Sequence, residues 1–502
     1  MQKKSLLIIA ITTMLGLTAC GGGDTIVDQE LPRDDPSSEV SFEFWHCLGH
    51  DKTKNLEKVA EAFNTKYAGK YKVVLKHPAG DYGSLHSTLK TKMSSGEVPA
   101  LSMGYPDSFS EYISKRIGDS FLLRLTNYIN DPDFGYSAEE LADFVPTYYN
   151  EGTNYQFDGV WSMPMYKSTE VMYYNANFFA GDNPANQKKF NGNNEFATLV
   201  NELDGANATD EALDDLRDWV ADHQGYTYSV PETWDEAITL SRKMLADRQA
   251  ENVAGDEFYP FGYDSDANLL ITQMEQRGIA YTVNDEASKN DYREHFKFNN
   301  PEAKALVTEI VNLLKEKVLI TKNSIGSGST YTNDYFTAFK CAFTVGSTGG
   351  SSYNVSSNFK VKLAPVPYKN QRKYIQQGPS FCFFDVGDAY KQKGAWLFYK
   401  EFAEASNNAK VALENSYDPV RISSYGTDEY REWLSHAGEG LKYDIPAMTA
   451  TLKDYYMTSP VFIGSSTARD EIGNIISYVY SSNNTIDQAF DTAISHCYTA
   501  AK

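Results

Sequence analysis

Between Gly159 and Asn175 the chain runs through an apolar arm to Met163-Pro164, then through Lys167, Ser168, Thr169 and Glu170, and leaves as Val171–Tyr174. Proline pushes the residue before it toward extended geometry and cannot donate to a sheet ladder. The stretch therefore reads as one strand interrupted by a crossing. Polar groups between apolar arms need hydrogen-bond partners when buried, so Ser168 and Thr169 are expected to face a cleft or a ligand. Arg469 is a second candidate. Gly464–Glu471 reads as a helix start, with Thr467 as N-cap and Asp470 in the capping-box position. A cation there opposes the helix dipole. An anionic ligand at that terminus would meet both the amides and the guanidinium; the competing reading is an ion pair with Asp470 or Glu471.

The loop Gly346–Ser352 offers N–H and hydroxyl donors directly after the apolar strand Ala342–Val345. It matches neither a dinucleotide nor a Walker pattern, so it is either a flexible turn or a contact for a non-nucleotide ligand. Tyrosine is abundant, with 35 residues, and aromatic faces with a polar tip suit carbohydrate and polyol clefts. Tyr82 and Tyr417 are favoured for that role, with Trp45 below them because its strand face reads as core. Arg421 is expected to brace structure more than to touch ligand. His46 and His50 gather no further ligands for a metal. No serine-histidine-aspartate set or nucleophile elbow is present. Carboxylate pairs abound, so a glycoside-cleaving acid pair is not excluded by counting.

The elements that must position these residues follow from periodicity. Val40–His46 alternates as a first strand; Leu56, Val59, Ala60 and Phe63 recur at helical spacing; Tyr71–Leu75 gives a second strand, making a βαβ opening. Thr233 and Glu236 form a capping-box pair, and a helix of about Pro301–Leu314 starts with proline in its first turn. Residues 181–230 form a polar insertion with two short helices. Val361–Pro367 and Asn415–Arg421 carry prolines that mark further crossing segments.

At 502 residues the chain is long enough for two domains, and 41% hydrophobic with 23% charged residues is globular composition. A net charge of −21 argues against nucleic acid and against electrostatic docking on anionic lipid. Lys3-Lys4, the apolar run Leu6–Leu17 and Leu17-Thr18-Ala19-Cys20 follow the plan of a signal peptide over residues 1–19. The segment resembles a bacterial lipobox, which makes Cys20 the lipidated residue, and residues 20–39 have the composition of a flexible tether. Of the remaining cysteines, Cys47, Cys341, Cys382 and Cys497, two sit in apolar runs, and buried free thiols are favoured over a disulfide.

Several stretches then line up in one order: Phe44-Trp45-His46, Gly80-Asp81-Tyr82, Ser95–Ala100, Met163–Asn175, Pro231–Trp234, Cys341–Ser352, Gln377–Ser380 and Tyr417-Asp418-Pro419. In this order the chain resembles the extracellular solute-binding proteins of ABC importers, family 1, and within them the glycerol-3-phosphate-binding type. The resemblance covers nearly all of residues 40–502. It implies an α/β, periplasmic-binding-protein-like type II fold: two α/β lobes joined by three chain crossings, with the ligand between them. The crossings are expected near Pro164–Ser168, Ala364–Tyr368 and Tyr417–Arg421. Lobe 1 would comprise 40–165 and 366–416, and lobe 2 would comprise 166–365 and 417–502 with the insertion 181–230.

Ligand positions carry over to Tyr82, Ser168, Gly378, Tyr417 and Arg469, and to the Ser347-Thr348 region, which matches a ligand-binding serine loop. Two positions depart from the pattern. Pro106 stands where those binders have a glutamate, and Gly262–Leu270 lacks their tryptophans, leaving Asp264, Ser265 and Asn268 to hydrogen-bond instead of stack. The expected function is capture of a small polar solute (glycerol-3-phosphate, a glycerophosphodiester or a sugar) by lobe closure, without catalysis or cofactor. Expected partners are importer permease subunits and, through Cys20, the outer face of a bacterial cell membrane; the protein is expected to be a monomer. The rival reading is a surface carbohydrate- or phosphodiester-cleaving enzyme. A third is an adhesion or scaffold lipoprotein using the insertion.

Overall fold

Twelve strands lie among the described residues of the computed structural model, which are 29–113, 120–253, 257–325, 331–482 and 484–502. The signal segment 1–19 and Cys20 lie outside them. In chain order the strands are β1 (Val40–Trp45), β2 (Tyr71–Lys76), β3 (Leu101–Gly104), β4 (Met163–Pro164), β5 (Glu170–Asn175) and β6 (Phe261–Tyr263). They continue with β7 (Leu319–Thr321), β8 (Phe343–Ser347), β9 (Val361–Ala364), β10 (Tyr374–Ile375), β11 (Ser380–Phe383) and β12 (Tyr456–Met457). One sheet has the order β2-β1-β3-β11-β4 and the other β7-β6-β8-β5-β9, while β10 and β12 pair separately. Each larger sheet is the floor of one lobe.

The first lobe forms for the reasons its sequence suggests. β1 pairs in parallel with β2 and β3, the geometry that a helical crossover produces. The crossover helix Lys54–Lys66 buries Leu56, Val59, Ala60 and Phe63, its one apolar face. β11 runs antiparallel between β3 and β4, so a strand from late in the chain completes the early sheet. In the second lobe β6 lies parallel to β7 and β8, and β5 lies antiparallel between β8 and β9. The insertion packs on this lobe through its own small core of Phe196, Leu213, Leu216 and Val220. Asp210 ties it to β9 by an ion pair with Lys362 at 2.5 Å.

The lobes meet where β4 becomes β5. Residues 165–169 pass from one sheet to the other with a neighbour on each side. The amides of Ser168 and Gln377 donate to each other's carbonyls at 2.9 and 2.8 Å, and the Lys167 amide donates to the Asp418 carbonyl at 3.0 Å. Gly378 is essential to this spacing. Its φ is +99°, and a Cβ there would lie 2.7 Å from the Tyr166 carbonyl oxygen and 3.0 Å from the Lys167 Cα. The Lys167 side chain is wholly buried beside the crossing. Its ammonium pairs with Glu151 and donates to the Gly378 carbonyl at 3.2 Å and the Ser380 hydroxyl at 2.9 Å. Burial lowers the pKa of this ammonium, and Glu151 opposes the shift.

Three expected boundaries move. The second crossing does not occur at Ala364–Tyr368, because Tyr368 stays with the second lobe. Its carbonyl accepts from the Trp234 amide at 2.8 Å, and the Lys369 amide donates to Gln276 at 3.0 Å. The passage comes at 376–379, after β10. The Tyr417–Arg421 segment runs beside the hinge but does not cross there. Asp143 in the first lobe accepts from the amide and hydroxyl of Ser423, and the Val145 amide donates to the Val420 carbonyl. The chain then stays on the first lobe through the helix Asp428–Ser435, held by Glu429 contacts to Ser406 and Lys410, before the helix Leu441–Leu452 packs on the second. Residues 29–39 are not a free tether either. Leu31 is 3% exposed in the core, Arg33 pairs with Asp131 at 2.8 Å, and Lys393 donates to the Pro32 carbonyl.

Replacing Lys167 by Met leaves Glu151 as a buried, unpaired carboxylate, and removing one partner of such a pair costs about 3–5 kcal/mol. Urea unfolding of Lys167→Met is expected to show a loss of that order. The double variant Lys167→Met/Glu151→Leu is expected to recover most of it.

Candidate ligand-binding cleft

The crossings floor a cleft between the lobes that encloses about 630 Å³, including space open to solvent. Tyr105, Pro106 and Asp107 enter it from the first lobe at the end of β3, and Tyr281, Ser465 and Arg469 enter from the second; Gln376, Gln377 and Gly378 lie between them. A hydrogen bond from the Ser465 hydroxyl to the Asp107 carbonyl at 3.0 Å spans the two sides.

Arg469 reaches the cleft by a different route from the one expected. The helix Ser465–Tyr480 is preceded by Gly464 at φ +93°, so Thr467 is inside the first turn and is not the N-cap. Arg469 therefore sits a full turn into the helix, beyond the first-turn amides. Its guanidinium donates to the Asn268 side-chain oxygen. Asn268 in turn donates to Glu170 at 2.6 Å, and the Tyr263 hydroxyl donates to the other Glu170 oxygen at 2.6 Å. Ser265 makes this possible by capping the helix Asp266–Arg277 and accepting from the Asn268 amide at 3.2 Å. Asp264 lies behind the cleft, where the Thr332 hydroxyl donates to it. Burial pushes the Glu170 carboxyl up to about 7, against the lowering effect of Tyr263, Asn268 and Arg469.

A second buried acid, Asp418, lies on the other flank of the crossing. The Thr449 hydroxyl donates to it at 2.6 Å, with Tyr148 and Tyr456 at 3.2 and 3.3 Å. Burial raises its carboxyl to about 6, and the Thr449 hydrogen bond opposes this. Next to the acid, tyrosines form a row. Tyr82 and Tyr105 have ring centroids 4.5 Å apart, as do Tyr166 and Tyr417, and Tyr82 interacts with Tyr417. Burial pushes all four phenols up, so they stay neutral and serve as hydrogen-bonding, aromatic surface.

The expected ligand residues separate into four groups. Gly378 and Arg469 line one cleft. Tyr82 and Tyr417 belong to the tyrosine row, which reaches that cleft through Tyr105. Ser347 and Thr348 open the turn Thr348–Asn354; Ser347 accepts from the Gly349 amide at 3.3 Å, while the buried Thr348 hydroxyl has no partner. Thr169 takes a different role: its hydroxyl donates to the Ile375 carbonyl at 2.9 Å and fastens the hinge. Ser168 is 2% exposed, with its backbone paired to Gln377, and it too belongs to the hinge.

Trp45 is core, its indole nitrogen bonded to Glu43. Arg421 braces the first lobe, donating to the carbonyls of Ala403 and Glu140. Cys47, Cys341, Cys382 and Cys497 are free and buried. Among the described residues no cluster of His, Cys, Asp or Glu is arranged to hold a metal ion. No helix among them is long and apolar enough to cross a membrane.

Sequence reasoning passed over Glu170, Tyr105 and Tyr166. Glu170 had a signal: it is the one carboxylate heading the apolar strand Val171–Tyr174.

A family model described as bacterial extracellular solute-binding protein matches residues 58–437. Among solved structures, the cyclic alpha-maltosyl-1,6-maltose binding protein from Arthrobacter globiformis aligns with a TM-score of 0.64 at 15% identity, covering 92% of this chain and 99% of its own. An ABC substrate-binding protein from Listeria monocytogenes in complex with cycloalternan gives 0.63 at 15% identity over 92% and 98%. UgpB from Mycobacterium tuberculosis in complex with glycerophosphocholine gives 0.62 at 15% identity over 92% and 98%. No curated protein matches the chain. These likenesses establish the type II two-lobe fold.

Glu170 makes stability depend on pH in a fixed direction. Its carboxyl rises from 4.5 unfolded to about 7 folded. Between those values the folded state keeps a proton that the unfolded state has released, so stability falls as pH rises through that window. The loss is on the order of 3 kcal/mol. Thermal melts from pH 4.5 to 8 are expected to show a steeper decline for the wild type than for Glu170→Gln. Equal slopes would mean that Glu170 is ionised throughout.

Proposed function

Because this chain belongs to the bacterial extracellular solute-binding protein family, we propose that it is the capture component of an ABC importer, held outside the cell by a lipid on Cys20, that closes its lobes on a carbohydrate and presents it to the permease. The observation that carries this reading is the inter-lobe cleft. A ligand touching Asp107 on one side and Arg469 on the other bridges both lobes and selects the closed arrangement.

Charge favours a neutral solute. The cleft lining holds one arginine and Asp107, Glu151 is already paired with Lys167, and the Glu170 carboxyl, raised to about 7 by burial, stands behind Asn268. A dianion such as glycerol-3-phosphate would gain the guanidinium but carry one charge more than it can neutralise, with Asp107 on the facing side. Carboxylates, amides and a guanidinium beside tyrosine rings form a set that hydrogen-bonds sugar hydroxyls while stacking on their C–H faces. The sugar complexes among the structural neighbours are consistent with this class. Arg469 itself supports a second reading, a glycerophosphodiester, whose single negative charge it would meet; the glycerophosphocholine complex of UgpB belongs to that class.

Calorimetry with maltose, glycerol-3-phosphate and glycerophosphocholine tests the choice. Heat with the sugar and none with glycerol-3-phosphate is expected. Arg469→Ala is expected to weaken sugar binding about tenfold or more through loss of one charged hydrogen-bond donor. Binding of glycerol-3-phosphate alone would overturn the carbohydrate assignment.

A further inference from the structure

A strap of backbone closes one flank of the Arg469 cleft. Residues 154–156, which follow the helix Pro146–Glu151 in the first lobe, lie beside residues 461–463, which precede the helix Ser465–Tyr480 in the second. Tyr155 and Val461 pair as a parallel β-bridge. The Gln156 amide donates to the Val461 carbonyl and the Val461 amide to the Asn154 carbonyl, both at 2.8 Å. Two side-chain amides add to the pair. The Ile463 amide donates to Gln156 Oε1 at 2.6 Å, and Asn284 Nδ2 donates to the Val461 carbonyl at 3.2 Å and the Asn154 carbonyl at 3.4 Å.

Each edge is fixed in its own lobe by a buried ring. Tyr155 is buried, and its hydroxyl donates to Ser162 at 3.1 Å. Phe462 is wholly buried and stacks on His295, with centroids 4.3 Å and planes 2° apart, while Phe296 meets it edge-on at 5.3 Å. His295 Nδ1 donates in turn to the Val283 carbonyl at 2.8 Å. What passes between the two edges is polar. Asn154, Gln156, Asn284 and Ile463 are half-buried, so water can take over their bonds when the lobes part, and such an exchange has a small net cost. The strap can therefore open and reclose. Elsewhere across the lobes, Lys52 to Gly349 at 3.5 Å and Ser351 to Ser416 at 3.2 Å are single side-chain bonds.

We propose that this strap is a latch: it draws the lobes together through contacts between protein groups, so that part of the population is closed before a solute arrives. Gln156 and Asn284 are then positioning residues that set affinity without touching the solute, since neither lines the cleft. For a solute that binds the closed arrangement, apparent affinity scales with the closed fraction. Loosening the latch therefore weakens every such solute by one common factor, which loss of a solute contact does not do. The proposal rests on the reading of the chain as a lobe-closing solute receptor and adds what biases the closure; it holds for any solute class.

Spin labels on Glu61→Cys and Ser352→Cys, exposed positions in the first and second lobes, read the distance between the lobes. The native thiols Cys47, Cys341, Cys382 and Cys497 are buried, and burial pushes them up, to about 12 for Cys47 and Cys497, so they stay unlabelled at pH 7. Without added solute, the otherwise wild-type chain is expected to show a short-distance population. Gln156→Ala/Asn284→Ala is expected to lower the ratio of short to long distances about tenfold. Gln156→Glu, which keeps an acceptor for the Ile463 amide, is expected to retain that ratio. Calorimetry with maltose and with glycerophosphocholine is expected to show the double alanine variant weakened by the same factor for each solute that binds. Equal distance distributions in wild type and double variant, no short-distance population in the wild type, or unequal weakening of two solutes that both bind would overturn the latch. Binding of neither solute, with the distributions shifted as expected, would overturn the solute assignment and leave the latch standing.

Discussion

An ammonium with no access to water constrains the hinge more than any other group. Lys167 needs Glu151, the Gly378 carbonyl and the Ser380 hydroxyl in place together, because an uncompensated charge in that position costs several kcal/mol. Those partners come from a first-lobe helix, the second crossing and β11. One side chain thus holds two separate stretches of chain, the helix ending at Glu151 and the run 378–380, against the central crossing. The backbone then needs glycine at 378, since any Cβ there would enter the Tyr166–Ser168 backbone.

With the crossing so fixed, the groups after it fall into position. Thr169 closes on Ile375, and Glu170 enters the second lobe facing Tyr263 and Asn268. Asn268 is thereby held in one orientation, amide toward the carboxylate and oxygen toward Arg469. The guanidinium that lines the cleft is placed by a chain of contacts beginning at the hinge. Polar groups of this kind, satisfied at every step, give directionality that apolar packing alone does not provide.

Much of the architecture was legible from period and proline. The βαβ opening, the proline-marked first crossing and the capping box at Thr233 and Glu236 are local features, and local rules describe them. The later crossings were displaced because proline marks extended chain without saying which lobe that chain pairs with. Tyr368 is decided by Trp234 and Gln276, and Arg421 by Asp143, all distant in sequence. Arg469 was found for a reason the structure does not support, since Gly464 and not Thr467 starts its helix. Ser168 and Thr169 read as ligand contacts because a polar pair between apolar arms must find partners. The Thr169 hydroxyl finds its partner in the hinge backbone, an outcome that composition cannot tell apart from a ligand.

The packing of residues 29–39 has a mechanical consequence. Leu31, Arg33 and the Pro32 carbonyl fix this segment to the first lobe alone. Any force applied through the chain before it is delivered to that lobe. The second lobe, with the insertion mounted on β9, would feel it only through the hinge and the contacts across the cleft.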